Sequence, residues 1–266
     1  MIKARMKFNK SGSMKFIGHL DVMRYFQKAI RRSEIDVCYS QGFNPHQQLS
    51  FASPLGVGLT SDGEYMDIQL NSITSSEDIK NRLNETMTEE MQILNVKVLP
   101  EDSKTSMALL AAADYKVSVK DGYEVCEDFS KKLLAFLEKE SLMIVKKTKK
   151  SEQEIDLKPF IYAAADNQAD FEGKIGRTLP ETVADSYENG QEIFLQLTCG
   201  SVNNIKPELI LNAFCEAEGI EFNEFAYQIH RIEIYTDENA KKGEVNLNGS
   251  ATPRKLVPLD VFGELV

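Results

Sequence analysis

The sequence predicts an α+β protein in which one unit of secondary structure is repeated in tandem. The order strand, helix, strand, strand, helix, strand occurs twice along the chain, and 266 residues are enough for two cores of ordinary domain size. The content of 42% hydrophobic and 27% charged residues is typical of a globular protein. The βαββαβ order is that of a ferredoxin-like domain, so we expect two of them, each an antiparallel sheet with helices on one face.

The first unit is predicted over residues 1–99. Strands are indicated by alternation of apolar and polar residues, helices by apolar residues at spacings of three and four, and the turn at 42–46 by Gly and Asn-Pro. In order, the predicted elements are strand Lys3–Asn9, helix His19–Ser33, strands Asp36–Ser40, Gln48–Ala52 and Glu64–Leu70, a helix opening at Ser75, and strand Gln92–Leu99. This is the βαββαβ order with one extra strand.

Residues 100–113 are predicted to be a linker or a short joining helix, and the second unit covers residues 114–236. Its predicted elements are strand Tyr115–Lys120, helix Tyr123–Lys139, strands Ser141–Lys147, Glu154–Ala163 and Glu192–Thr198, helix Pro207–Glu218 with proline in its first turn, and strand Ala226–Tyr235. Residues 237–266 look like a flexible C-terminal extension. Its last apolar residues could dock back onto a sheet.

Composition argues against several classes of protein. The four cysteines are far apart and form no CxxC or Cys/His pair, so we expect neither a metal site nor a disulfide framework, and a reducing cytoplasm fits. The longest apolar run, Met107–Ala113, is far shorter than the roughly 20 residues of a membrane span, and the N-terminus shows no secretion signal. No common phosphate-binding or dinucleotide-binding motif occurs, so no cofactor is expected in this chain.

Charge is distributed unevenly along the chain. The net charge is −10, yet residues 1–56 hold nine Lys/Arg and only three Asp/Glu, while the rest of the chain holds 22 and 38. A basic block on an acidic protein favours a surface that binds a polyanion. A solvated basic face without a partner is equally compatible with this distribution.

The segment from Tyr39 to Phe51 is the densest cluster of polar and special residues. It offers aromatic rings for base stacking, amides that can read a base edge, and a histidine on a Gly/Pro-built bend next to the basic first helix. The alternative is a structural turn with Phe43 in the core. The candidate RNA-binding residues are Arg24, Lys28, Arg31, Tyr39, Ser40, Gln41, Phe43, Asn44, His46 and Ser50.

His19 is the one candidate catalytic residue. It opens the first helix after Gly18, with Asp21 two residues further on, and could serve as a general base or a phosphate ligand at the helix N-terminus. A capping or hydrogen-bonding role is the alternative. Arg177 and Arg231 are further candidates for anion contacts, although neither has distinctive spacing.

Several motifs between residues 10 and 70 resemble a radical-SAM-linked bacterial family of unknown function. They are Lys-Ser-Gly-Ser-Met-Lys-Phe-Ile-Gly-His-Leu-Asp at 10–21, Tyr-Ser-Gln-Gly-Phe-Asn-Pro-His at 39–46, Leu-Ser-Phe-Ala at 49–52, Leu-Gly-Val-Gly at 55–58 and Glu-Tyr-Met-Asp at 64–67. The resemblance extends more loosely to about residue 235. Members of that family occur fused to the C-terminus of a radical SAM protein or as a separate chain, and this chain resembles the separate form.

The resemblance implies a radical SAM protein as partner, which alone would carry S-adenosylmethionine and an iron–sulfur cluster. The family has no established reaction. Our first hypothesis is therefore an accessory RNA-binding module in tRNA or rRNA modification or processing, without contact to a membrane. The alternatives are a metal-independent RNA-processing or RNA-modifying enzyme that uses His19, and a protein–protein adaptor without nucleic acid.

Overall fold

The computed structural model describes residues 1–147, 152–200, 203–240 and 246–266. The first half of the chain contains β1 (Ile2–Lys10), α1 (His19–Arg32), β2 (Leu49–Phe51), β3 (Thr60–Leu70), α2 (Ser76–Thr86), β4 (Ile93–Leu99) and α3 (Ser106–Leu109). The second half contains β5 (Ala112–Val119), α4 (Phe129–Leu137), β6 (Met143–Lys147), β7 (Glu152–Asp156), β8 (Ile161–Ala165), α5 (Gln168–Ile175), β9 (Glu192–Thr198), α6 (Pro207–Glu218), β10 (Tyr227–Asp237) and β11 (Leu256–Pro258).

Both halves contribute to one nine-stranded sheet. Its strand order is β4-β1-β3-β10-β5-β9-β8, with β2 paired to β3 and β11 paired to β10, while β6 and β7 form a separate ribbon. The halves meet where β3 runs parallel to β10, with Thr60 opposite His230 and Ser61 opposite Arg231. The other strand pairs described in this sheet are antiparallel. The expected α+β class with a largely antiparallel sheet is confirmed.

The core of the first half follows the alternation of its strands. Ala4, Met6 and Phe8 of β1 point to one face, where they pack against Phe26 and Ile30 of α1. Phe8 and Phe26 meet edge to face, with ring centroids 4.7 Å apart. Helix α2 covers the same face through Ile79 and Leu83. The predicted first helix and the strands at 3–9 and 92–99 are therefore confirmed to within one or two residues.

The core of the second half is built in the same way, but one helix lies on the opposite face. Phe129 and Phe214, from α4 and α6, pack over the face of β9 that carries Ile193 and Leu195. Helix α5 instead places Phe171 against Phe194, whose side chain points the other way because side chains alternate along a strand. The expectation that all helices lie on one face fails for α5, which the sequence did not predict.

Three other elements differ from the prediction. Residues 36–40 form only the isolated bridges Val37–Leu70 and Tyr39–Gln47 instead of a strand. The helix expected from Tyr123 begins at Phe129. The strand expected over 154–163 is split into β7 and β8 by a short 3-10 turn that contains Pro159, which has no N–H to donate to a sheet.

The end of the C-terminal extension docks onto the sheet. Strand β11 pairs with Tyr235–Asp237 of β10, and Leu259 is fully buried. Glu264 bridges to Val98 at the other end of the sheet. Residues 241–245 of the predicted extension lie outside the described residues. The docked part covers the sheet face opposite to α1 and α2, where the carbonyl of Leu259 accepts a 2.8 Å hydrogen bond from Arg5.

Candidate nucleic-acid interface

The loop between residues 39 and 47 is closed by hydrogen bonds at its base. The Ser40 hydroxyl lies 2.8 Å from Nδ1 of His46 and accepts a 3.1 Å hydrogen bond from the His46 amide. The Ser40 amide donates to the His46 carbonyl at 2.9 Å. Gly42 has a φ of +115°, which favours glycine because it lacks a Cβ. These contacts give residues 41–45 a defined conformation, as the Gly and Asn-Pro signals predicted.

Phe43 stands at the tip of this loop with its side chain fully exposed. The alternative that Phe43 belongs to the core is therefore wrong. Gln41 and Asn44 are exposed beside it, and Tyr39 is about half exposed at the base of the loop. An aromatic ring that a closed loop holds in solvent is available for stacking on another planar group.

The loop is attached to the middle of α1. Nε2 of Gln47 donates to the carbonyl of Gln27 at 3.3 Å and to the Tyr39 hydroxyl at 3.4 Å. The outer face of α1 exposes Arg24, Lys28 and Arg31. Among the described residues, the one ion pair of Arg24 is an exposed 3.2 Å contact with Asp21, which is worth little in water. The base of the predicted aromatic loop is thus attached to the helix that carries the predicted cationic stripe.

A cavity of about 370 Å³ lies behind the loop. Three predicted residues, Ser40, His46 and Ser50, line it together with Lys3 and Lys104. Sequence reasoning missed the two lysines because they come from β1 and from the segment after β4, far from the loop in sequence. Their only signal was the basic character of the first strand, which includes Lys3.

His19 packs against an aromatic ring at the start of α1. Its ring stands edge-on to Phe51 with the centroids 5.3 Å apart. None of the hydrogen bonds given between described residues involves the nitrogen atoms of this ring. Within the described part of the chain, His19 therefore has the environment of an aromatic packing residue at the start of α1.

Three apolar side chains are exposed around the start of α1. Phe16, Leu20 and Val57 each expose 60% or more of their surface, and Val57 approaches Gly18 closely. The Gly58 amide donates to the Lys15 carbonyl at 2.7 Å, which ties the two segments together. Scattered exposed apolar residues are common, whereas a group of three around one helix start forms a small apolar patch.

The seam between the halves, where β3 pairs with β10, holds a buried ion pair. Arg231 donates to Glu64 through Nε at 2.7 Å and through Nη2 at 2.5 Å, and both residues are almost fully buried. Burial disfavours the charged form of Arg231, yet the Coulombic attraction of Glu64 and Tyr115 and the hydrogen bonds to Glu64 together outweigh burial and raise the pKa of the guanidinium. Arg231 was predicted to contact an external anion, but its guanidinium is already paired with the Glu64 carboxylate.

Lys10, the first residue of the motif at 10–21, is also buried in this region. Its ammonium group lies 3.2–3.4 Å from the carbonyls of Lys15, Ile17 and Gly56. Burial lowers its pKa, Glu64 opposes this shift, and Arg231 adds to it. Lys10 therefore fixes the motif segments 10–17 and 55–58 to each other, which is a structural role.

A family described as an uncharacterized protein conserved in bacteria (DUF2344) matches residues 3–207. The chain belongs to this family. The match includes the loop, α1 and the cavity behind the loop, so the candidate site lies inside the family region. No curated protein matches the chain.

Neither a metal centre nor a membrane-spanning helix is found in the part of the chain that the structure describes. No group of three or more His, Cys, Asp or Glu side chains in that part of the chain is arranged to hold a metal ion. None of its helices is both long enough and apolar enough to cross a membrane.

Proposed function

We propose that this protein is an accessory RNA-binding module, and that residues 39–50 and the outer face of α1 form its RNA surface. The observation that carries the proposal is Phe43, which a hydrogen-bonded loop holds in solvent, together with the attachment of this loop to α1, the helix that exposes Arg24, Lys28 and Arg31. Single-stranded RNA is held by bases stacked on aromatic rings and by phosphates near cations. Gln41 and Asn44 add amides that can pair with base edges.

The strand order supports the proposed architecture of two tandem ferredoxin-like units. The first half follows the order β4-β1-β3-β2 and the second half the order β10-β5-β9-β8, in which the fourth, first, third and second strands of each unit lie side by side. Proteins that bind RNA on related units use exposed aromatic rings for it, so the architecture is compatible with the proposal. Fold alone does not establish a function.

We further propose that the module acts in the cytoplasm with a radical SAM protein in tRNA or rRNA modification or processing. The support is the resemblance of the motifs at 10–21 and 39–46, and S-adenosylmethionine and the iron–sulfur cluster would belong to that partner. The exposed residues Phe16, Leu20 and Val57 offer it an apolar contact next to the RNA surface.

The decisive experiment reverses the charge of the α1 stripe. We expect the triple variant R24E/K28E/R31E to lose salt-sensitive binding of a fluorescein-labelled single-stranded RNA of mixed sequence, measured by anisotropy over a salt series. The slope of log K against log salt is negative, and removal of three phosphate contacts makes it shallower by about 2. The matched control is K131E/K132E/K139E, which changes the net charge equally on the exposed surface around α4. Equal affinities and slopes for the two triple variants would refute the RNA surface.

A second variant tests the aromatic contact. Stacking of one base is worth about 1–3 kcal/mol, so F43A should weaken RNA binding by about 5- to 160-fold with the salt slope unchanged. The control F16A removes another exposed aromatic ring, outside the loop. If F43A and F16A bind RNA equally, Phe43 does not contact RNA.

A protein–protein adaptor without nucleic acid is the second candidate function, favoured by the exposed Phe16, Leu20 and Val57. Crosslinking and affinity purification from cells, with and without nuclease, separates the two. RNA crosslinked to residues 39–50 together with a radical SAM protein supports the first proposal. A protein partner that survives nuclease treatment, without crosslinked RNA, supports the adaptor. The variant H19A addresses the enzymatic alternative, because loss of a general acid–base group lowers a rate by about 10²- to 10⁴-fold while binding survives.

A further inference from the structure

A second cavity, of about 380 Å³, lies in the other half of the protein. It is bordered by β8 and β9, by the end of α5, and by the C-terminal segment 247–256, and it is open to solvent. It lies on the face of the sheet that carries α5, because Gln196 in its wall alternates with Leu195 on β9. Its size is within the range of about 300–1,000 Å³ that is typical of small-molecule sites.

The wall of this cavity is cationic. Lys174, Arg177 and Arg254 line it, and among the described residues no aspartate or glutamate does. The remaining polar wall consists of neutral hydrogen-bonding groups from Gln196, Asn248, Ser250, Thr252 and Tyr162. Three positive charges without a lining carboxylate are notable here, since the chain beyond residue 56 has 38 acidic against 22 basic residues.

Both arginines are held in place by aromatic rings. The guanidinium carbon of Arg254 lies 3.7 Å from the ring centroid of Tyr162, and that of Arg177 lies 3.7 Å from that of Tyr235. Arg254 is also anchored by hydrogen bonds to Asn246 and Asn248, at 3.1 and 2.8 Å. Stacking fixes the plane of a guanidinium while its N–H groups stay available at the edge.

The hydrogen-bonding capacity of Arg177 is incompletely used. Its Nε is buried and finds no partner among the described residues. Its Nη atoms reach the Leu256 carbonyl and the carboxylate of Asp114 only at 3.5 Å, the limit of a hydrogen bond. A buried donor without an acceptor is costly, so an external acceptor at this position would stabilise the protein.

We propose that this cavity binds a small phosphorylated molecule, with its phosphate on Arg177 and Arg254 and its polar remainder against Ser250 and Thr252. Arginine pairs with phosphate through two parallel N–H···O bonds, for which a stacked, fixed guanidinium is well suited. A small ligand is favoured over a nucleic acid because the acidic second half repels a long polyanion. The ligand would join the C-terminal segment, through Arg254, to the body of the protein, through Arg177 and Lys174.

The test uses inorganic pyrophosphate, ribose 5-phosphate and adenosine 5′-monophosphate as probes for the full-length protein. Isothermal titration calorimetry at constant ionic strength should show saturable binding of at least one of them. R254Q should weaken binding at least tenfold, because a charge-assisted pair is lost, and K174Q should weaken it severalfold. The matched control K255Q removes an exposed charge of the same segment that does not line the cavity, and its affinity should equal that of the wild type.

Hydrogen exchange provides a readout that does not depend on the calorimetry. A ligand bound to Arg254 should slow exchange of residues 246–256 in the wild type and in K255Q. K174Q keeps the proposal testable if R254Q fails to fold. Lys174 is exposed, and among the described residues its ammonium group donates a hydrogen bond only to the Ala164 carbonyl, at 2.7 Å. Absence of saturable binding by all three probes at concentrations up to about 10 mM, or equal affinities of K174Q, R254Q and K255Q, would overturn the proposal.

Discussion

The replacement R231M should destabilise the protein more than any change on its surface. Arg231 donates two short hydrogen bonds to Glu64 and a third, of 3.0 Å, to the Ser53 carbonyl. Both charged groups are buried where β3 and β10 join the two halves. Methionine fills a similar volume but leaves the Glu64 carboxylate buried without its partner.

The magnitude follows from these contacts. Each charge-assisted hydrogen bond contributes about 1.5–3 kcal/mol, and removal of one partner of a buried ion pair costs about 3–5 kcal/mol. That is a large part of the 5–15 kcal/mol by which native proteins are usually stable. The double variant R231M/E64M should recover most of the loss, because no uncompensated charge of the pair remains. Nearby Lys10 then loses an attractive neighbour, Glu64, and a repulsive one, Arg231. Its own contribution to the free energy of unfolding therefore changes little.

The assay is urea unfolding of the wild type, both single variants and the double variant, followed by circular dichroism. The four free energies of unfolding form a double-mutant cycle, and we expect a coupling energy of at least about 2 kcal/mol between Arg231 and Glu64. A coupling energy below about 0.5 kcal/mol, or a double variant as unstable as R231M, would refute the reasoning. Either result would mean that the pair does not hold the seam.

Further predictions concern stability at single positions. Burial raises the pKa of Asp114 from 3.8 to about 6, so between these pH values the native protein keeps a proton that the unfolded chain releases. The free energy of unfolding of the wild type, relative to that of D114N, should therefore fall by up to about 3 kcal/mol as the pH rises from 4 to 7. Urea unfolding of both proteins at several pH values checks this, and a constant difference would contradict it. G63A should cost more than about 1 kcal/mol, because its Cβ would lie 2.6 Å from the Glu233 Cα, whereas G173A in α5 meets nothing within 4 Å and should be neutral or stabilising. F43A should change the free energy of unfolding by less than about 0.5 kcal/mol, since its side chain is fully exposed, and a larger loss in thermal or urea unfolding would show that the loop is part of the core.

Local patterns predicted the elements whose signals are local. The alternation in β1 and the apolar spacing of α1 give those elements nearly to the residue, and Pro207 marks the start of α6. Helix α5 was missed because Phe171 is its one fully buried residue, although Asn167 caps its start and Gly176 ends it in the left-handed conformation. Caps without an apolar stripe are a weak signal to a reader of sequence.

The seam and the cavities could not be predicted, because each joins residues that are distant in sequence. Thr60 pairs with His230, and no pattern in either strand indicates that the two run in parallel. The cavity behind the loop likewise combines Lys3, His46 and Lys104. The exposure of Phe43 could not be predicted from the sequence for a different reason. A turn has no periodicity that tells which of its side chains face the core.

The polar groups at the seam imply that the two halves act as one body. His230 lies 2.9 Å from both Thr60 and Asp62, and the Tyr65 hydroxyl donates to Glu233 at 2.7 Å, so buried groups of each half are satisfied by the other. Separation of the halves would leave these groups and the Arg231–Glu64 pair without partners, each at a cost of about 1–3 kcal/mol or more unless water replaced them. The RNA surface proposed on the first half and the phosphate cavity proposed on the second are therefore fixed on a single sheet. We therefore expect that a ligand bound in the cavity does not rotate one half against the other.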